Sequence, residues 1–528
     1  MVLLKEKQMR RVIFIIYCIG ICFTIYANKK YDITGFGAKG DGTTINTQYI
    51  QKAIDMCSLD GGGQVYIPNG IFLTGTVILK SNVELYLEAQ AVLKGSPNMS
   101  DYSSISTERR VLIYVCRQNN IAISGRGTID GNGGHSVFQS KDKFNGLPNR
   151  PYPIAINQSS NVKLKDFTIK NGAFWNIMLD QCHYVTIDDL TVLSRIVANN
   201  DGLDIVDCHN VKVSNCYFDV GDDAICLKSH CDIGVKNTVI TNCIAKSESN
   251  GIKFGTRGDG GFEDITISNC VIYDTRLSGI TLQMVDGGII DRITINNIIM
   301  HDVNGSIFMK LGHRKGDTPG ILRNVMISNI IADGIGCWKA DTSASYHKAE
   351  HDQRIGISIV GVPDYEMENV TLSNINLQFA GGGTEEDWRR EIGDKVSVYP
   401  EYSNYGVTPA YGLNCRYVKD LCLNNIQLDY LEEDVRPAIY CRDVSDIYIH
   451  SLKAKISENA PAIICLKNVS GVFVTNCKPR MNTPFFLLGD NVKDISLIGN
   501  DFSKVTNILS PISHSTLKEI KGLSSNIK

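Results

Sequence analysis

A five-residue rung recurs along this chain at an interval close to one coil of a solenoid. It reads Val162-Lys-Leu-Lys-Asp166, Val185-Thr-Ile-Asp-Asp189, Val211-Lys-Val-Ser-Asn215, Thr238-Val-Ile-Thr-Asn242, Ile265-Thr-Ile-Ser-Asn269 and Ile293-Thr-Ile-Asn-Asn297. Its fifth position advances by 23, 26, 27, 27 and 28 residues over that span. Later copies end at Asn329, Asn374, Asn425 and Asn476. The first and third positions are mostly apolar, which buries one face of a strand. The fifth is Asn or Asp, suited to a tight turn in the left-handed region. Stacked on the next coil, such Asn side chains can hydrogen-bond along the pile. One unit cannot bury its apolar face alone, and stacking builds a continuous core.

Propeller blades run to about 40–50 residues, longer than this period. The expected fold is therefore all-β: a single-stranded right-handed parallel β-helix with an N-terminal capping helix. Asn46 can cap a helix whose Ile50, Ala53, Ile54 and Cys57 fall at i, i+3, i+4 and i+7, ended by Gly61-Gly-Gly63. A solenoid can absorb all of residues 28–528 as one domain. Two intervals exceed one coil, 45 residues from Asn329 to Asn374 and 51 from Asn374 to Asn425. Loop insertions are expected near 333–355 and 380–412, where long loops on a rigid scaffold can shape a cleft.

Residues 1–27 read as a signal peptide. Lys5, Lys7, Arg10 and Arg11 precede the apolar run from Val12 to Tyr26, and Ala27 suits a cleavage site. That run is shorter than the ~20 residues of a membrane span. A secreted or periplasmic protein without a transmembrane domain is expected, with cell-surface attachment left open. The net charge of −3, with no basic stripe, argues against a nucleic-acid partner. Of 17 Cys, two lie in the leader. Cys216, Cys243, Cys270 and Cys477 each follow the turn Asn, as small buried hydrophobes would. No Cys pair has zinc spacing, so no metal is expected. Gly35, Gly37 and Gly40 fit GxGxxG without the strand and βαβ unit a dinucleotide requires, so no cofactor is expected either. The chain is expected to be a monomer.

The stretch Asn199-Asn-Asp-Gly-Leu-Asp204 is followed by Gly221-Asp-Asp223. Aligned by the repeat, Asp201 lies one coil before the Asp222/Asp223 pair. Ala224, Gly251 and Gly279 share one level, as do Asp223, Asn250 and Ser278. Neighbouring coils are about 4.8 Å apart. Acids on two of them can approach the ~6.5–9.5 Å that inverting glycosidases use to admit a water. Crowded carboxylates also raise one another's pKa, which lets one stay protonated.

These residues, together with Phe36-Gly-Ala-Lys-Gly-Asp-Gly42 and its following helix, resemble glycoside hydrolase family 28. This is the polygalacturonase family of the pectin-lyase-like β-helix superfamily. The family pattern is Asn-Thr-Asp-Gly-x-Asp followed by Gly- or Gln-Asp-Asp, and here Asn200 replaces the Thr. The resemblance implies a secreted glycoside hydrolase acting on a pectic polysaccharide or oligosaccharide. It implies that Asp222 donates the proton to the leaving oxygen. It also implies that Asp201 and Asp223 activate the attacking water, with inversion.

Two family features are replaced. Ser249-Asn250-Gly251 stands where Gly-His-Gly is usual; Asn250 can bond a sugar or hold Asp222, but cannot titrate. Thr281-Leu282-Gln283 stands where Arg-Ile-Lys grips the uronate carboxylate. By level, Lys253 lies beside Thr281 and Lys310 beside Gln283. Either is a candidate for the missing cation, against the alternative that both are solvated or paired with the acids. Two other readings stay open: a polysaccharide lyase on the same fold, and a non-catalytic glycan-binding β-helix.

Overall fold

Every rung of the repeat is a strand, and the strands stack in register. This is seen in a computed structural model, which describes residues 29–511 apart from 106–108, 140–149, 345, 351–353 and 480–481. The expected signal peptide, residues 1–27, lies outside the described residues. The strands join one sheet, and each coil pairs parallel to the next. The architecture is a right-handed parallel β-helix, and one apolar cluster runs through it from Ile33 to Phe502.

The rung works as its chemistry dictates. Val211, Val213, Ile265, Ile267, Ile293 and Ile295 are buried along the axis. Asn215, Asn242, Asn269 and Asn297 turn the chain at φ 56–59°, the left-handed region that Asn tolerates best among side-chain-bearing residues. Their side chains form a ladder. Asn297 Nδ2 donates to Asn269 Oδ1 (3.1 Å), and Asn329, Asn374 and Asn425 each donate to the Asn of the preceding coil (3.0 Å). The ladder breaks between Asn242 and Asn269, where Asn269 donates to Thr241 instead. Cys216, Cys243, Cys270 and Cys477 are buried one residue past the turn. A second Asn ladder, not anticipated from the rung, runs through Asn82, Asn120 and Asn161 at another corner.

Helix α1 (Thr47–Leu59) buries Ile50, Ala53, Ile54 and Cys57 against the first coils. Asn46 precedes it, but its side chain makes no cap bond; it instead ties Lys39, Thr44 and Leu73 together.

One column of strands matters for the site: β1 (Ile177–Asp180), β2 (Leu203–Val206), β3 (Ile225–Ser229), β4 (Ile252–Gly258), β5 (Phe262–Met284) and β6 (Ile289–Leu311). Inward residues Leu203, Ile225, Ile252, Ile280 and Ile307 stack as one file. The outward file beside it reads Asp204, Cys226, Lys253, Thr281 and Phe308. The segments between Ile335 and Ile357 and between Gly381 and Leu413 leave the strand pattern.

Candidate active site

The outward face of β2–β4 floors a cleft of about 540 Å³. Asp201, Asp222 and Asp223 all line it. The register sets Asp201 level with Asp223 on the adjacent coil, because Leu203 pairs with Ile225. Gly202 lies between Asp201 and the strand. A Cβ there would meet the Ala224 carbonyl at 2.4 Å, so only glycine lets these coils close.

The backbone of Asp201 is pinned from below. Its carbonyl accepts Asn176 N–H (2.9 Å) and Asn176 Nδ2 (2.8 Å). Asn200, the replacement for the family Thr, is wholly buried and donates to the carbonyls of Gly172 and Phe174. It braces the turn rather than facing the cleft.

Two lysines hold the acids. Lys228 Nζ donates to Asp201 Oδ2 (3.1 Å), to Asp204 and to Cys226 Sγ (3.0 Å), and lies 4.2 Å from the centre of the Trp175 ring. The ligand atoms of Asp201, Asp204 and Cys226 sit within 4.8 Å of one another, a spacing a metal could use, but the ammonium bonds all three. Lys253 Nζ lies 3.1 Å from Asp223 Oδ2 and 2.6 Å from Glu401 Oε1.

The surroundings push the carboxyls apart. Burial raises Asp201 well above the usual carboxylate range; Asp204 adds repulsion, and Lys228 opposes both. Burial likewise lifts Asp204 to about 6 against the pull of Lys228. Burial would lift Asp223 too, but Lys253, Lys228 and the bond from Asn250 outweigh it and hold Asp223 below the usual range. The carboxyl pair of one coil is thus the weaker acid and its neighbour on the next coil the stronger.

Asp222 is the least buried of the three proposed catalytic acids. Its carbonyl accepts Ser247 Oγ (2.6 Å), and its Oδ1 lies 3.4 Å from Lys348 Nζ.

Two expected substrate contacts are placed elsewhere. Asn250 is wholly buried and does not line the cleft; its N–H and Nδ2 bind Asp223 Oδ1 (3.2 and 2.8 Å). It holds Asp223, not Asp222 and not a sugar. Lys310 keeps its expected level beside Gln283 but is buried under the second insertion. Its Nζ meets the carbonyls of Asp394 (3.1 Å) and Gly361 (3.4 Å), and burial, with Arg416 nearby, lowers its pKa to about 7. Lys253 does line the cleft, but its charge is shared between Asp223 and Glu401.

Both insertions reach the site. The first brings Lys348, and the second brings Tyr399 and Glu401. Lys228, Lys348, Glu401 and the ring of Trp175 were not singled out from the sequence. Lys228 had a signal: it lies two residues past Cys226, on the same outward face as Asp204. The residues from the insertions had none, because no repeat fixes their level.

Residues 57–387, more than half of the chain, match the family described as Glycosyl hydrolases family 28. The chain is 28% identical over 481 residues to an exo-poly-alpha-D-galacturonosidase of Dickeya chrysanthemi, covering 78% of this chain and 72% of that protein. It is 24% identical over 395 residues to a probable polygalacturonase of Vitis vinifera, covering 67% and 76%. In fold it resembles a hyperthermoactive exopolygalacturonase from Thermotoga maritima, with a TM-score of 0.61 at 20% identity over 76% of this chain and 92% of that one.

Proposed function

The chain belongs to glycosyl hydrolases family 28 and is a glycoside hydrolase, and from that premise we propose that it cleaves pectic, galacturonic-acid-containing chains with inversion. The observation that carries this reading is that Asp201, Asp222 and Asp223 share one cleft on adjacent coils. Names of the relatives support the substrate class.

In the reaction, a water oxygen attacks the anomeric carbon as the bond to the leaving oxygen breaks. Asp222, the most exposed acid of the three, gives its proton to that oxygen. Asp223, held ionised by Lys253, and Asp201 take the proton of the water. A carboxylate with a raised pKa is the stronger base once it has lost its proton. Trp175 and Tyr399 line the same cleft. The leader supports export, so the substrate would be met outside the cytoplasm.

Products from homogalacturonan oligosaccharides, read by proton NMR at early times, should carry the anomeric configuration opposite to that of the cleaved bond. Retention would sink the mechanism, and an unsaturated product absorbing in the ultraviolet would indicate a lyase.

The pH profile follows from the same groups. Asp201 must be ionised to act as a base, and its pKa is raised. The acid limb of kcat/KM should therefore lie above the usual carboxylate range, with activity rising as pH rises through it. An acid limb at or below an ordinary Asp value of about 3.9 would contradict the role of Asp201.

A further inference from the structure

We infer that Lys348, carried into the cleft by the first insertion, binds the carboxylate of a uronic-acid unit in this chain. The inference rests on the pectic reading above and adds the residue that recognises the acid.

The strand position where the family grips this carboxylate is closed on itself here. Gln283 Nε2 donates to Thr281 Oγ1 (3.1 Å), Thr256 Oγ1 donates to Gln283 Oε1 (3.1 Å), and both Thr281 and Gln283 are wholly buried. Most cations lining the cleft are committed to carboxylates of the protein. Lys228 is held by Asp201 and Asp204, and Lys253 by Asp223 and Glu401. Arg314 makes a two-pronged pair with Asp286, and Arg257 pairs with Asp259. Arg276 gives its Nε to the carbonyl of Glu248 (2.7 Å).

Lys348 differs. It is 5% exposed, yet among the described residues its Nζ makes no hydrogen bond to the protein. Its ion-pair partner among the described residues is Asp222 Oδ1 at 3.4 Å, longer than the pairs that hold Lys228 and Lys253. An ammonium carries three donors and no acceptor, and leaving donors unmet in a nearly buried place is costly. A ligand carboxylate in the cleft would meet them.

The arm that delivers Lys348 is seated firmly. The Lys348 backbone N–H donates to Glu248 Oε2 (3.0 Å), and Glu248, wholly buried, also takes Arg195 Nη1 (3.0 Å). Tyr346 lies against Gly221, where an added Cβ would meet its ring at 3.1 Å. The ammonium is thereby fixed beside the acid that protonates the leaving oxygen. A neutral sugar offers no charge to it, and a uronate does.

The test compares wild type with Lys348→Met and Lys348→Arg on oligogalacturonides in free-acid and methyl-ester forms. Wild type should prefer the acid. Lys348→Met should lose at least tenfold of that preference, chiefly through KM, and Lys348→Arg should keep part of it. A purely structural role would lower both substrates alike, and an unchanged acid-to-ester ratio would overturn the inference. If wild type cleaves neither form, the pectic reading itself fails. A second measurement does not depend on any variant. Reductive methylation of Lys348 in the wild-type protein, read by peptide mass, should slow at least threefold with galacturonate and not with galactose. Equal labelling with both sugars would overturn the inference.

Discussion

Asp222→Asn is expected to lower kcat on pectic oligosaccharides by about 10²–10⁴-fold, the usual worth of a positioned general acid. KM and melting temperature should change little. The side chain is half-buried, its ion-pair partner among the described residues is Lys348 at 3.4 Å, and the backbone bond from Ser247 does not involve the carboxyl. Asn keeps the shape and removes the proton that the leaving oxygen needs. The loss should shrink on a substrate whose leaving group is a nitrophenol, because that oxygen departs without protonation. An equal loss on both substrates would mean that Asp222 shapes the site rather than protonates. Unchanged release of reducing sugar would leave only the glycan-binding reading.

The role of Asp222 is what the family resemblance implies; its place along the stack is legible because the coil repeat acts as a ruler. It sets the level of each residue along the stack, and those levels hold: Lys253 beside Thr281, Gln283 beside Lys310. The turn Asn residues were readable for the same reason, since their conformation is local. A level, however, does not say what covers it. Lys310 stands where the repeat puts it, but residues of the second insertion fold over it. Its level makes Lys253 a candidate substrate clamp, but its partner Glu401 lies 148 residues away in sequence. Contacts made by loops that leave the coil carry no periodic signal. Asn250 shows a third limit. Its level is right, but on a coil corner a rotation about the strand decides between the cleft and the acid beside it, and the backbone N–H and Nδ2 of Asn250 both turn to Asp223, with Glu401 also in reach of Nδ2.

Lys253→Met should have the largest effect on stability of any change in the cleft. Lys253 is 3% exposed and lies between Asp223 and Glu401. Removing one partner of a buried ion pair costs about 3–5 kcal/mol, because the remaining charge is left without a counter-ion. Here two carboxylates would remain. The least costly response is for one of them to take a proton. Asp223 would then lose the largest of the influences that hold it below the usual range, leaving only Lys228 and the bonds from Asn250 and Ser249, and the base would be weakened along with the stability.

The pH dependence of this loss has a definite sign. In wild type the depressed pKa of Asp223 contributes stability above the unfolded value of about 3.9, and this is lost as pH falls through the folded value. The variant lacks the part of that contribution that Lys253 supplies. The gap between the two proteins in urea melts should therefore be widest near neutral pH and narrow as pH drops below about 4. The double variant Lys253→Met/Glu401→Gln removes the second carboxylate and should recover part of the stability without recovering turnover, because Asp223 still lacks its ammonium. If Lys253→Met melts within about 0.5 kcal/mol of wild type, as a solvated surface change would, then Lys253 is not what keeps Asp223 ionised.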